Sequence, residues 1–261
     1  MNRIDARFSS LRSRGSKAFI GYLTAGFPTW AGFERAFADL ERGGADLIEI
    51  GVPFSDPIAD GPAIQFASQK ALENGVTLKK ILARVARLRR RSETPVVLMS
   101  YMNPILALGL KRFAEEAARS GVDGLIVPDL IPEEAGPLRS ALDAEGLDLI
   151  HLAAPTTPPE RRRMIARLSK GFLYAVSLTG VTGARRALPP ETAGFLRSLK
   201  KVSPVPVAVG FGISGPDAVR AVAPFCDGVI VGSALITRLR DKKPLLPFVR
   251  SLRRALDSAS L

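Results

Sequence analysis

A sentence repeated eight times restricts this chain's fold more than any other feature: an apolar run of strand length, a polar loop, then an amphipathic helix. The runs occupy residues 18–23, 46–50, 96–101, 124–127, 149–152, 172–177, 205–209 and 228–231. Helical stripes such as Phe33/Phe37/Leu40, Ile81/Val85/Leu88, Met164/Ile165/Leu168 and Val249/Leu252/Leu256 follow them at the 3.6-residue period. Thr157 and Glu160, with Pro158 between them, read as a capping box with proline at the first helical position. Eight strand–helix units in 261 residues give about 33 residues each, the spacing of a (β/α)₈ TIM barrel. A leading segment with Ile4, Phe8 and Leu11 on one side adds an extra N-terminal helix. No low-complexity linker interrupts the pattern, so residues 1–261 are expected to form one domain; a doubly wound open sheet is the alternative.

A barrel carries its chemistry at the C-terminal ends of its strands. In the second unit, residues 45–65 read ADLIEIGVPFSDPIADGPAIQ. Alternation puts Leu47, Glu49 and Gly51 on one strand face and Ile48 and Ile50 on the other. Glu49 is a carboxylate at the end of an apolar strand, where burial without a partner is costly. Asp60 follows in a loop punctuated by Pro53, Pro57, Gly61 and Pro62, too long for a mere connection. A salt-bridged core glutamate and a turn aspartate would explain the same residues without a function.

The inventory narrows the mechanism by what it lacks. Each lysine falls on a helix, in a loop or just before a strand, so no Schiff-base lysine stands in the mouth. The single histidine, His151, is too little for a His-rich metal site, so no metal is expected, and there is no G-x-S-x-G elbow. Carboxylate acid–base chemistry remains. The seventh unit runs into Gly210-Phe211-Gly212-Ile213-Ser214 and the eighth into Gly232-Ser233-Ala234, with residues 234–238 as a short extra helix. Barrels bind phosphate at this position, where glycine admits backbone N–H groups and a helix N-terminus favours an anion. The loop at residues 178–190, LTGVTGARRALPP, could close as a lid through Thr182 and Gly183.

Bulk properties agree. The lone cysteine excludes an internal disulfide framework, and the first residues hold no apolar stretch resembling a signal peptide. A soluble, cytoplasmic protein without a membrane span is expected. The net charge of +12 is spread along the chain and concentrated at helix ends, as at Arg89, Arg90 and Arg91, without interleaved aromatics. Attraction of an anionic substrate is the more economical consequence than nucleic-acid binding.

The segments IEIGVPFSDPIADGP, LMSYMNPI, VPDLIPEE, LAAPTTPPER, YAVSLTGVTGAR, VAVGFGIS and VGSAL, in order along nearly the whole barrel, together resemble the tryptophan synthase α chain. The resemblance implies retro-aldol cleavage of indole-3-glycerol phosphate to indole and glyceraldehyde 3-phosphate, with Glu49 and Asp60 catalytic. It places Tyr174 beside the acid pair. Tyr22, Met99, Tyr101, Ile126, Leu152 and Phe211 would line the indole slot, though each is equally explicable as barrel core. Gly183, Gly212, Gly232 and Ser233 would hold the phosphate. It also implies a pyridoxal-phosphate-dependent β chain as partner, in an α₂β₂ assembly, and no cofactor on this chain. The β chain would dock on the rim formed by Pro53, Phe54, Ser55, Asp56, Pro57, Asn103 and Pro104. A stand-alone lyase releasing free indole, or a barrel that mainly binds and activates, are the alternatives; the intact acid pair argues against the second.

Overall fold

Among the described residues, nine strand segments build one parallel sheet: β1 (Ala18–Thr24), β2 (Leu47–Gly51), β3 (Val96–Met99), β4 (Gly124–Ile126), β5 (Asp148–Ile150), β6 (Leu152–Ala153), β7 (Leu173–Val176), β8 (Val207–Gly210) and β9 (Gly228–Val231). The computed structural model describes residues 2–176, 188–210 and 212–259. The strand order is β5-β4-β3-β2-β1-β9-β8-β7-β6. The two end segments, β5 and β6, are consecutive in the chain with only His151 between them, so the sheet curls round on itself. The expected eight-stranded barrel is thus formed, with its fifth strand divided. Residues of β5 pair with β4, whereas those of β6 pair with β7. At the step between them, His151 accepts from Tyr174 N–H and its own N–H is satisfied by Ser169 Oγ at 3.3 Å.

Helix α1 (Arg3–Ser13) precedes the barrel and α2 (Trp30–Gly43) follows β1. Two helices follow β2, namely α3 (Pro62–Glu73) and α4 (Leu78–Arg89), and two follow β3, α5 (Met102–Leu108) and α6 (Leu110–Ser120). Then come α7 (Gly136–Ala144), α8 (Pro159–Leu168), α9 (Pro190–Val202), α10 (Pro216–Val222), α11 (Ser233–Arg240) and α12 (Leu246–Ser258). None is long and apolar enough to cross a membrane. The capping box is absent. Thr157 Oγ1 accepts from Ala154 N–H instead, and α8 starts one residue later than expected, with Pro158 as an N-cap that has no side-chain bond. Of two adjacent prolines the second, Pro159, takes the first helical position, which leaves the threonine outside the helix.

Strand alternation sorts the apolar residues into two cores. Outward residues, Ile48 and Ile50 among them, pack with Phe33, Phe37 and Leu40 of α2 and with the other helices. Inward residues, including Ile20, Leu47, Val97, Ile150 and Phe172, fill the barrel. The predicted leading helix seals its N-terminal end. Ile4, Phe8 and Leu11 of α1 join the inner core, and the Phe8 and Phe172 rings are 5.8 Å apart. Aspartates just before strands tie this end together. Asp46 accepts from Phe19 N–H, Asp123 from Val96 N–H and Asp227 from Val207 N–H. Arg253, Arg89 and Lys200 respectively pair with them. Arg89 therefore serves a buried carboxylate as well as ending its helix. Among the described residues the opposite end is left open.

Candidate active site

At that open end lies a cavity of about 750 Å³. Its floor is the uppermost inward layer of the barrel: Tyr22 of β1, Glu49 of β2, Met99 of β3, Tyr174 of β7 and Ile230 of β9. Tyr22 and Glu49 stand side by side in register. The two tyrosines fit because glycines face them. A Cβ at Gly51 would lie 2.0 Å from the Tyr22 hydroxyl, and one at Gly210 would lie 2.2 Å from the Tyr174 hydroxyl. Any side chain at either position displaces a ring from the cavity floor.

Glu49 is 1% exposed, and its Oε2 has no hydrogen-bond partner among the described residues. Burial, reinforced by the Asp60 carboxylate, raises its pKa to about 8. Asp60 reaches the same cavity from the loop before α3. Burial raises it only to about 6, because a hydrogen bond from Tyr101 favours the ionised form. At neutral pH one cavity therefore holds a protonated carboxyl and an ionised carboxylate, the separation expected of an acid–base pair.

Tyr101 holds that loop. Its hydroxyl also accepts from Ala59 N–H at 2.9 Å, and its ring stacks on Phe54 at 5.1 Å and 27°. Tyr101, expected in the indole slot, stands just beyond β3 as the N-cap of α5 and positions Asp60. Asp129 accepts from Met102 N–H at 3.0 and 3.1 Å, so this acid holds two loops together and is not on the cavity wall.

The other wall carries the glycine segments expected to hold a phosphate. Gly212, Ile213 and Ser214 after β8 face Gly232, Ser233 and Ala234 at the start of α11. Gly212 has φ +77°, a left-handed conformation that favours glycine. Gly232 caps α11 with no side-chain bond, and the first-turn N–H groups have no carbonyl within the helix to bond. They point to where an anion would sit.

Of the expected lining residues, Tyr22, Met99, Tyr174, Gly212, Gly232 and Ser233 are brought together here. Ile126 and Leu152 are not on the wall. Ile126 is fully buried in the inner core, and Leu152 packs against it where strand five crosses from β4 to β7. Thr182, Gly183 and Phe211 lie outside the described residues. Sequence reasoning missed Ile64 at the start of α3 and Thr237, Arg238, Asp241, Lys243 and Phe248 in and after α11. The i, i+4 spacing of Ser233, Thr237 and Asp241 on one helix face was the available signal. His151 is not among the residues lining the cavity, and burial together with Arg139 holds it neutral, with a pKa lowered to about 4.

The residues expected on the partner rim differ in exposure. Ser55, Asp56 and Asn103 are exposed, but Pro53 is buried within the chain and offers little surface. The same rim, after β2, β3 and β4, exposes Ile58 (84%), Leu106 (54%) and Ile131 (47%).

Comparison with known proteins agrees with these features. Residues 8–248 match the family model described as tryptophan synthase alpha chain. The α chain of a Geobacter species (strain M21) is 52% identical over 236 residues, covering 90% of this chain and 88% of that one. The Geobacter sulfurreducens α chain is 45% identical over 264 residues, covering 99% and 100%. Tryptophan synthase subunit alpha from Legionella pneumophila superposes with a TM-score of 0.90 at 39% identity, covering 99% of both chains. A chain of Mycobacterium tuberculosis tryptophan synthase gives 0.91 at 39%, covering 98% of both. The chain belongs to the tryptophan synthase alpha chain family.

Proposed function

We propose that Glu49 and Asp60 carry out the family's reaction, cleavage of indole-3-glycerol phosphate to indole and glyceraldehyde 3-phosphate, in the cavity at the barrel mouth. The observation that carries this reading is the convergence of two carboxyls on one cavity that also meets a helix N-terminus. Glu49, protonated at neutral pH, donates to indole C3 and generates an indolenine cation. It then takes the proton of the hydroxyl next to the ring as the carbon–carbon bond breaks. The bonding electrons return to the ring, so the proton given equals the proton recovered. Asp60, ionised, accepts from the indole N–H and stabilises the cation as it forms. Gly212, Gly232 and Ser233 hold the phosphate, and Tyr22, Met99 and Tyr174 border the ring. These acid–base steps call for no further group on this chain; pyridoxal phosphate is expected on the β partner. We read residues 1–261 as one domain, supported by a single sheet running from β1 to β9. A cytoplasmic setting is supported by a lone, buried cysteine. The purified chain given indole-3-glycerol phosphate should release indole, and more with a β chain present. No release under either condition would contradict the assignment.

Tyr101→Phe removes the hydrogen bond that favours ionised Asp60. The acidic limb of the pH–rate profile should move to higher pH, so turnover at pH 6 should fall more than at pH 8. Equal losses at both pH values would reduce Tyr101 to a packing residue.

As an α subunit, the chain works with a tryptophan synthase β chain. The rim after β2, β3 and β4 is the surface we assign to that contact, because it combines polar Asp56 and Asn103 with exposed Ile58, Leu106 and Ile131. Its loop also holds Asp60, and Phe54 of the rim stacks on the tyrosine that positions this carboxylate. Asp56→Ala or Pro57→Ala should therefore weaken β binding and lower stimulated activity more than basal activity. Equal losses with and without the β chain would make the loop purely catalytic.

A further inference from the structure

Nothing described at the phosphate end of the cavity carries a full positive charge: Gly212, Ser214, Gly232 and Ser233 offer neutral donors. A helix N-terminus contributes roughly half a unit charge. A phosphate monoester at neutral pH carries about 1.5 to 2 negative charges. The compensation falls short by about one charge.

That charge stands on the same helix. Arg238 lines the cavity five residues beyond Ser233, about 7.5 Å along the helix axis. Its guanidinium is held in place. Nε and Nη2 donate to Pro244 O at 3.2 and 3.1 Å, and the group lies 4.6 Å from the centre of the Phe248 ring. None of these partners is a carboxylate, and Arg238 makes no salt bridge among the described residues. The neighbouring carboxylate, Asp241, is engaged by Arg240 at 3.0 Å and by Lys243 at 3.4 Å. Lys243 also lines the cavity.

The turn that brings these groups together is strained. Lys242 has φ +53°, the one non-glycine residue with positive φ among the described residues. Its neighbour Lys243 closes the end of α11 by donating to Arg238 O at 2.9 Å. A left-handed lysine is unfavourable and persists only where its surroundings impose it. Here it returns the chain so that Pro244 and Phe248 meet Arg238.

We propose that Arg238, with Lys243 beside it, is the charge-bearing determinant of phosphate recognition, acting through space on a dianion seated at the N-terminus of α11. This rests on the phosphate assignment above and adds to it the residue that distinguishes a phosphate monoester from a neutral group.

The test uses the full chain and glycerol 3-phosphate as probe, with binding measured by calorimetry in 20 mM and 500 mM NaCl. Arg238→Met keeps the stem over Phe248 and removes the charge. It should weaken binding about 5- to 20-fold in low salt and under about 2-fold in high salt, where screening is strong. For indole-3-glycerol phosphate it should raise KM and leave kcat nearly unaltered. Arg238→Lys should restore affinity to within about 3-fold; if it loses as much as methionine does, the effect comes from packing and the proposal fails. Ser233→Asp, an exposed position in the first turn, sets a negative charge against the phosphate and should abolish binding. Normal binding by that variant would overturn the phosphate assignment itself. Loss with Ser233→Asp but none with Arg238→Met would leave the assignment standing and overturn the role of Arg238.

Discussion

Glu49→Gln is expected to give a folded chain that still binds its phosphate substrate but releases indole about 10³-fold more slowly. General acid–base catalysis by one positioned group is typically worth about 10²–10⁴-fold, and here one group serves two steps. The amide keeps the shape of the carboxyl but shuttles no proton. The fold should tolerate it, because burial already holds Glu49 in its neutral form at pH 7 and Oε2 has no partner among the described residues to lose. Indole release measured beside thermal melting checks both halves. Activity within tenfold of the parent would remove Glu49 from the proton-transfer role.

Asp60→Asn should cost about 10²–10³-fold in turnover with little change in KM. The charge that Asp60 stabilises exists only once C3 has been protonated, so the loss belongs to the transition state. The variant keeps a side chain able to accept from the indole N–H, which separates charge from hydrogen bonding. A variant that lost substrate binding but retained turnover would recast Asp60 as an anchor.

Much of this was legible before any coordinates. Strand alternation put Glu49 on one face and Ile48 and Ile50 on the other, because successive side chains of a strand point to opposite faces. The glycine segments after β8 and β9 were legible because they close the last two strand units at the end where a barrel carries its chemistry. The leading helix was legible from three apolar residues at helical spacing, and they pack where a barrel otherwise leaves its lower end open. What was not legible depended on residues distant in sequence. Ile126 and Leu152 look like any other strand-end apolar residue, and only the closure of the sheet decides that one is interior packing and the other sits at the seam. Tyr101 has the composition of a slot residue; its reach to Ala59, Asp60 and Phe54 follows from the path of a loop some 40 residues earlier. Thr157 satisfied a capping pattern that the second of two prolines displaced. The Arg238 wall was invisible because its clamp, the Pro244 carbonyl and the Phe248 ring, is assembled by a left-handed lysine that no residue pattern announces.

The measurement that bears most directly on the division of labour between Glu49 and Asp60 is the pH dependence of kcat/KM for indole release. Asp60 must be ionised, which requires a pH above about 6, and Glu49 must be protonated, which requires a pH below about 8. The two groups interact, so the limbs belong to the pair. A bell centred near pH 7 is expected, and Asp60→Asn should lose the acidic limb while keeping the alkaline one. A rate that continues to climb past pH 9, or an acidic limb that persists unchanged in Asp60→Asn, would contradict the roles assigned to this acid pair.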